Sequence, residues 1–377
     1  MMRAAIAVSS VVLGLVLPAV AGDALPPVDA AKVAREIRPR HEVPALVCAV
    51  VAKDGSLHAI GADGVRRAGS DAAVTVDDRM HLGSCTKAFT ATLAAVLVAE
   101  GRMRWDSTVG EVFADSAAGM DPAWRPVTLE QLLRHRGGAP NQADATAWRA
   151  AWACSEPPEV CRAAFVARTL ETAPVKVGEY AYSNQGYAIA GRMLEIAAGG
   201  DAYEVLLAAR VLAPLGISRF GFGVPTKSEP ASPVGHTEVR APREIDNPNA
   251  IAPAGTLHMP LCEWAKFIAF HLGGKAPPAL EGAARELPRL HAPSKEAPNE
   301  ALGWKSATRP WGGQVLMHAG SNTMWYCVAW LAPEKGFAVL AATNQGGDAA
   351  EKACDDACAA MIGALARPAA PAAVPEK

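Results

Sequence analysis

The hydrophobic positions near the start of the chain change from a helical to a continuous pattern. Asp29–Arg38 carries its apolar residues on one side and predicts an amphipathic helix. Ala45–Ala52 is apolar at every position and predicts a buried strand, followed by a turn at Asp54 and Gly55. Leu57–Ile60 then predicts the returning strand of a hairpin.

The most apolar run of the chain is Ala88–Glu100, which ends at Gly101. It is apolar on nearly every face, so it is not typical of a surface helix. It is also too short to cross a bilayer. We therefore predict a helix buried inside a large protein.

The rest of the chain predicts mostly helices and then strands. The segment Thr226–Asn249 is rich in proline and charge and predicts an excursion over the surface. The predicted helices are Val127–Arg134 (capped by Thr128), Ala143–Ala153, Cys161–Leu170, Tyr187–Ala198, Ala202–Val211, Met259–Leu272 and Asp348–Leu365, and the predicted strands are Gln314–Met317, Trp325–Leu331 and Phe337–Thr343.

This order of elements favours an α+β fold. We expect an antiparallel sheet flanked by helices, built from both ends of the chain, with an all-helical domain inserted between them. The α/β part would comprise about residues 30–80 and 245–365, and the helical part about residues 100–245. A site between the two parts is the default place for chemistry.

Composition and the chain termini narrow the class of protein. The 377 residues carry a formal net charge of −2, so no basic surplus indicates a nucleic-acid partner. Arg3 precedes an apolar run that ends in Ala19-Val20-Ala21, which predicts a secretory signal peptide over residues 1–21 and a secreted or periplasmic protein. No later run predicts a membrane span, and residues 366–377 form an Ala/Pro tail that we expect to be disordered.

The eight cysteines permit disulfides in an exported chain. Cys154 and Cys161 flank a turn-rich segment that a bridge would close. A bridge between Cys354 and Cys358, on one helical face, would be strained. Cys48, Cys262 and Cys327 lie in apolar contexts that suit packing, as does Cys85.

Candidate chemistry begins where the apolar helix begins. Ser84 and Lys87 are three residues apart and lie on the same helical face. A lysine in an apolar site loses its charge more easily and can take the proton of a serine nucleophile. The N–H groups at a helix start suit a developing oxyanion. The alternative is a capping serine with a solvent-directed lysine.

Two later stretches supply the remaining groups. Tyr182 and Asn184 lie in a loop before a helix, where Tyr182 is a candidate general base if a nearby ammonium lowers its pKa, and Asn184 is a candidate to hold Lys87 and a substrate carbonyl. The alternative is that Tyr182 packs at the helix entrance and Asn184 caps the helix. His318, Gly320 and Ser321 fall between two predicted strands, where a strand edge can offer an oxyanion N–H.

The ordered set Ser84-Cys-Thr-Lys87, Tyr182-Ser-Asn184 and His318-Ala-Gly320 resembles the three motifs of the serine β-lactamase and penicillin-binding-protein superfamily. The similar branch contains class C β-lactamases, D-alanyl-D-alanine carboxypeptidases and esterases. The resemblance covers roughly residues 30 to 365. It also includes the stretches Leu129–His135, Pro253–Gly255 and Ala342–Gly346.

The resemblance implies a serine hydrolase that cleaves an ester or amide through an acyl-Ser84 intermediate, and the predicted signal peptide implies that it is exported. Lys87 and Tyr182 would move protons, and the N–H groups of Ser84 and Ser321 would hold the oxyanion. No cofactor or metal is implied, and the histidines show no His-Glu-x-x-His zinc motif.

The expected partner is a small-molecule or peptide substrate. His318 stands where class C enzymes carry a lysine that supports recognition of the substrate carboxylate, and carboxypeptidases and esterases of the branch also carry His-x-Gly. D-amino peptides or small esters are therefore favoured. The alternatives are a class C-like β-lactamase and a penicillin-binding sensor that acylates without turnover.

Overall fold

Both ends of the chain contribute strands to one antiparallel sheet. The computed structural model describes residues 25–114, 119–141 and 144–366. The strands are β1 (Ala45–Ala52), β2 (Leu57–Gly64), β3 (Met80–His81), β4 (Gly221–Phe222), β5 (Gly235–His236), β6 (Pro242–Arg243), β7 (Leu257–Met259), β8 (Lys305–Arg309), β9 (Gly313–Ser321), β10 (Tyr326–Ala332) and β11 (Phe337–Thr343). Six strands form the main sheet in the order β2-β1-β11-β10-β9-β8, and shorter strands form small sheets β3-β7-β4 and β5-β6.

Helices cover both faces of the main sheet. In the order of the chain, most of the helices lie between strands β1 and β2 and strands β8 to β11. The helices are α1 (Ala30–His41), α2 (Thr86–Ala99), α3 (Val109–Val112), α4 (Leu129–Leu133), α5 (Ala145–Ala153), α6 (Pro158–Leu170), α7 (Asn184–Ala197), α8 (Tyr203–Leu207), α9 (Pro225–Ser228), α10 (Ala252–Gly255), α11 (Leu261–His271), α12 (Glu281–Arg285), α13 (Leu287–His291) and α14 (Asp348–Leu365). A π-helical turn over Ala208–Leu212 continues α8.

The central strands are apolar throughout because both of their faces are covered. In β1, Leu46 and Val50 belong to the cluster that packs under α1 and α14, whereas Val47 and Val51 belong to the main core on the other face. Successive side chains of a strand point to opposite faces, so a continuous apolar run suits a strand at this position.

Helix α2 is buried almost along its whole length, as its composition predicts. It lies against α7, α10 and α12, so its side chains meet protein on every side. Two threonines within it satisfy their hydroxyls internally: Thr90 donates to the carbonyl of Pro253, and Thr92 donates to that of Ala88. A single 3₁₀ turn over Gly83–Cys85 leads into the helix.

The predicted α+β fold is confirmed, and the structure adds to it in two places. The edge strand β8 was not predicted, because its sequence Lys-Ser-Ala-Thr-Arg is largely polar. Strand β9 extends beyond the predicted Gln314–Met317 to Ser321, so His318 lies within a strand and not between two strands. The ladder with β10, which pairs His318 with Ala329, explains this extension.

The predicted bridge between Cys154 and Cys161 is confirmed and joins the end of α5 to α6. Cys354 and Cys358 are free, as are Cys48, Cys85, Cys262 and Cys327. All of these free thiols are buried except that of Cys262, which is partly exposed.

The described residues include no helix whose length and apolarity would suit a membrane crossing. The predicted signal peptide at residues 1–21 lies outside the described residues. The same holds for the predicted tail, residues 366–377, apart from Ala366, which is the C-cap of α14.

Candidate active site

Ser84 lies in the 3₁₀ turn before α2, and this turn contacts strand β9. Gly83, which precedes it, has a φ of +47°, in the left-handed region that favours glycine. A Cβ on Gly83 would lie 2.4 Å from the backbone nitrogen of Ser321, and one on Gly320 would lie 2.9 Å from that of Ser84. The two glycines therefore allow the backbone N–H groups of Ser84 and Ser321 to approach one another.

The side chains of Lys87 and Tyr182 both reach the hydroxyl of Ser84. The distance from Lys87 Nζ to Ser84 Oγ is 3.1 Å. Tyr182 Oη donates to Ser84 Oγ over 2.6 Å. Ser84 and Tyr182 are partly exposed, whereas Lys87 is fully buried. A substrate can therefore reach the hydroxyl while the amine stays shielded from water.

Burial lowers the pKa of Lys87 well below its ordinary value. Besides Ser84, its amine contacts two neutral oxygens, Asn184 Oδ1 at 2.8 Å and the carbonyl of Ala254 at 2.7 Å. A neutral amine has two N–H groups and one lone pair. When Lys87 is neutral and these two oxygens accept its two N–H groups, its lone pair is left for the Ser84 hydroxyl, which is the arrangement a general base requires.

The pKa of Tyr182 shifts in the direction opposite to the one that a general base would need. Burial raises it, and this outweighs the hydrogen bond with Ser84, which acts in the other direction. The Lys87 Nζ atom lies 4.7 Å from the centre of the tyrosine ring. Tyr182 is thus held as a protonated hydroxyl beside Ser84, and it suits proton delivery better than proton abstraction.

Asn184 is available to Lys87 because a different residue caps helix α7. Ser183 is the N-cap, and its Oγ accepts the hydrogen bond from the backbone N–H of Gly186. The interpretation of Asn184 as the cap is therefore wrong. Asn184 is the first helical residue, and its amide oxygen faces the buried amine.

His318 lies on the same strand as Gly320 and carries no charge near neutral pH. Burial lowers its pKa to about 3. Its Nδ1 lies 2.6 Å from the carbonyl of Gly303, and since a carbonyl only accepts, Nδ1 carries the ring proton.

Two further histidines support the site, and their roles were not predicted. His135 adopts a φ of +57°, accepts the backbone N–H of Ser183 at Nδ1 over 3.0 Å, and has its ring centre 4.4 Å from that of Tyr182. His81 accepts the backbone N–H of Gly83 at Nδ1 over 3.0 Å. His81 lies two positions before Gly83, so its place along the chain signals it. His135 is 48 positions from Ser183, and no spacing along the chain connects them.

The part of the chain that the structure describes contains no cluster of side chains that could hold a metal ion. No group of three or more His, Cys, Asp or Glu side chains converges there. The chemistry available at the site is nucleophilic attack by Ser84 with proton transfer through Lys87 and Tyr182.

Comparison with known proteins gives one family. The Beta-lactamase family model matches residues 31–360. Penicillin-binding protein 4 of Amycolatopsis lactamdurans is 33% identical over 188 residues, which cover 48% of this chain and 45% of that protein. The chain spans about half the length of the curated relatives it matches.

Solved structures share the fold. A beta-lactamase from Sulfitobacter sp. EE-36 superposes with a TM-score of 0.73 at 20% identity, covering 89% of this chain and 97% of that one. D-alanine carboxypeptidase AmpC from Burkholderia cenocepacia superposes with a TM-score of 0.72 at 17% identity, over the same shares of the two chains.

Proposed function

Because this chain belongs to the beta-lactamase family, we propose that it is an exported serine hydrolase that cleaves an ester or amide through an acyl-Ser84 intermediate. One observation carries the proposal: Ser84 Oγ lies within hydrogen-bond distance of both a buried amine, Lys87 Nζ, and a protonated phenol, Tyr182 Oη. A base and an acid on one hydroxyl are what acyl transfer to serine requires.

Acylation starts when Ser84 Oγ attacks the substrate carbonyl carbon and Lys87 takes the hydroxyl proton. The oxyanion that forms faces the N–H groups of Ser84 and Ser321. When the tetrahedral intermediate collapses, the bond to the leaving group breaks and the leaving group takes a proton from Tyr182. The ammonium of Lys87 then returns a proton to the phenolate of Tyr182, so both residues end neutral and the charges balance. Water then attacks the acyl carbon and gives a proton to Lys87, the bond from that carbon to Ser84 Oγ breaks, and the ammonium of Lys87 returns the proton to Ser84 Oγ.

The favoured substrates are D-amino peptides or small esters. His318 is buried and its pKa is about 3, so it offers no positive charge to a substrate carboxylate near neutral pH. A class C-like β-lactamase remains the competing hydrolase, since structures with that fold include a beta-lactamase. A sensor that acylates with penicillin and does not turn over is the competing binding protein.

Export is part of the proposal. It rests on the apolar segment that ends at Ala19-Val20-Ala21, and the bridge between Cys154 and Cys161 suits an oxidising compartment. Edman sequencing of protein recovered from the culture medium or periplasm should begin at Gly22. A chain that starts at Met1 and stays with the cytosol would contradict export.

The function is tested by intact mass and turnover. The protein is exposed briefly to benzylpenicillin and, separately, to a p-nitrophenyl ester, with Ser84→Ala as the test variant and Ser56→Ala as the control for the same change in an exposed turn. We expect an acyl adduct or release of p-nitrophenol with the wild type and Ser56→Ala, and neither with Ser84→Ala. Full activity of Ser84→Ala would contradict the proposal.

The same experiment separates the candidates. Ester turnover without a lasting penicillin adduct favours the esterase or peptidase, provided that the drug is not consumed. Consumption of the penicillin favours a β-lactamase. A stoichiometric adduct that persists without steady-state turnover favours the sensor.

A further inference from the structure

A buried carboxylate outside the three motifs, that of Asp246, lies at the centre of the hydrogen bonds that hold the candidate site. Asp246 follows strand β6, in the segment Thr226–Asn249 that the sequence predicted as a surface excursion. Its side chain is only 5% exposed. A buried aspartate needs compensating hydrogen bonds, so the partners of this one indicate its role.

Both oxygens of the carboxylate accept hydrogen bonds from groups beside the site. Oδ2 lies 2.8 Å from Nε2 of His81. Oδ1 accepts from the side-chain amide of Asn322 over 2.8 Å and from the backbone N–H of Asn247 over 2.7 Å. Asn322 directly follows Ser321, whose N–H is a candidate for the oxyanion hole.

The contact with His81 fixes which ring nitrogen carries the proton. Nδ1 accepts the backbone N–H of Gly83, so the proton is on Nε2, where it is donated to Asp246. The histidine side chain is fully buried between these two partners. Asp246 therefore sets the tautomer that holds the backbone N–H one residue before Ser84.

The third connection runs from Asn247 to the segment that holds Lys87, the proposed general base. The side-chain amide of Asn247 donates to the carbonyl of Gly255 over 2.9 Å. The preceding residue, Ala254, has the carbonyl that accepts from Lys87 Nζ. One carboxylate thus lies at the junction of the segments that carry the nucleophile, a carbonyl partner of the base and the strand N–H.

We infer that Asp246 is a positioning residue that fixes the nucleophile turn and the oxyanion strand for acyl transfer. This inference rests on the proposed function of Ser84. Asp246 does not touch the Ser84 hydroxyl, and it acts through the Nε2–H tautomer of His81, through Asn322 and through Asn247. Small displacements of catalytic groups lower the rate of a step more than they weaken substrate binding.

The substitution Asp246→Asn isolates this role because it preserves the shape of the side chain and replaces one accepting oxygen, together with the charge, by an N–H donor. All three partners of Asp246 donate to it. If the new amide nitrogen faces His81, the ring must move its proton to Nδ1, which then opposes the N–H of Gly83. If it faces Asn322 and Asn247 instead, it opposes their donors. Neither orientation satisfies the network.

The matched control is Asp78→Asn. Asp78 is also buried and accepts from Arg66 and from the backbone N–H of Thr75, neither of which contacts the motifs. We expect Asp246→Asn to lower kcat for the p-nitrophenyl ester on the order of ten-fold or more, with KM within about three-fold of the wild type. Asp78→Asn should keep kcat near the wild-type value even if its melting temperature falls as much as that of Asp246→Asn.

A second pair of variants tests the route through Gly83 and does not depend on Asp246→Asn folding. The side-chain oxygen of His81→Asn is attached to Cγ, as Nδ1 is, so it can still accept the N–H of Gly83. His81→Phe keeps a ring and accepts nothing. His81→Asn should therefore retain several-fold more kcat than His81→Phe.

The outcomes distinguish the inference from the function on which it rests. A wild-type protein that neither forms an acyl adduct nor turns over an ester overturns both. A wild type that is active, with Asp246→Asn as fast as Asp78→Asn or with the two His81 variants equally impaired, overturns the inference alone.

Discussion

The amine of Lys87 lies 3.1 Å from the hydroxyl of Ser84 and is fully buried. Its other hydrogen-bond partners are the neutral oxygens of Asn184 and Ala254. Neutral oxygens compensate for a buried ammonium less than a carboxylate would, which is why the pKa of Lys87 is lowered. Burial therefore makes the neutral, proton-accepting form of Lys87 available at a lower pH.

This relationship predicts the pH dependence of acylation. Lys87 is an effective base only when it has lost its proton, so kcat/KM should rise with pH and level off above the pKa of Lys87. Because that pKa is lowered from 10.5, the plateau should begin well below pH 10.5. Stopped-flow acylation by a p-nitrophenyl ester between pH 5 and 10 measures the profile.

Replacing the lysine should remove this dependence. Lys87→Met is expected to lower kcat/KM by about 10²- to 10⁴-fold, since it removes a general base without adding a charge. Lys53→Met, at an exposed lysine, is the control and should match the wild type. Lys87→Met with the wild-type rate would assign the base to another group.

Tyr182→Phe tests the proton-donor role. The variant loses the hydroxyl that donates to Ser84 over 2.6 Å and keeps the ring. Acylation by esters with a poor alkoxide leaving group should fall by about 10²- to 10⁴-fold, and activated p-nitrophenyl esters should lose less, because p-nitrophenolate departs without a proton. An equal loss for both kinds of ester would contradict proton donation to the leaving group.

Buried histidines predict that the fold loses stability in acid. Burial lowers the pKa to about 3 for His258 and His318 and to about 4 for His291. At a pH between these lowered pKa values and the ordinary histidine pKa of 6.5, the unfolded chain therefore binds more protons than the folded chain. The free energy of unfolding should fall as pH drops below 6.5, by about 1.4 kcal/mol per pH unit for each such histidine.

Urea unfolding at pH 7, 6 and 5 measures this slope. In the wild type, Nε2 of His291 lies 2.9 Å from Nδ1 of His271. His291→Gln keeps a polar atom facing His271, but glutamine cannot titrate. The slope of this variant should be smaller by one proton. An unchanged slope would show that His291 titrates alike in both states.

The disulfide should contribute to stability and not to catalysis. Cys154 and Cys161 are seven positions apart and close a short loop between α5 and α6. Replacing both with alanine should lower the free energy of unfolding by about 2 kcal/mol, as loop closure by a bridge of this length implies. Cys262→Ala, at a partly exposed free thiol, should cost much less.

The value of kcat should stay within about three-fold of the wild type in the double variant, because neither cysteine contacts the Ser84 hydroxyl. A loss of activity without a loss of stability would contradict this assignment.

The pattern of residues along the chain predicts the α+β fold and the reacting groups of the candidate site, but not the residues that support those groups. The Ser84–Lys87 spacing is local to one helix, and the Tyr182–Asn184 spacing is local to one loop, so both are visible along the chain. The continuous apolar run Ala45–Ala52 identified a central strand because such a strand is buried on both faces.

Tertiary structure decided the protonation states and the supporting contacts. The pKa of Tyr182 depends on burial by distant segments, and burial raised it where the sequence suggested a lowering. His81 and Asp246 are 165 positions apart, and no local pattern connects them. His318 belongs to a strand because β10 pairs with it. Spacing along a chain reveals which groups can react, whereas desolvation and long-range pairing, which set their protonation and orientation, exist only once the chain has folded.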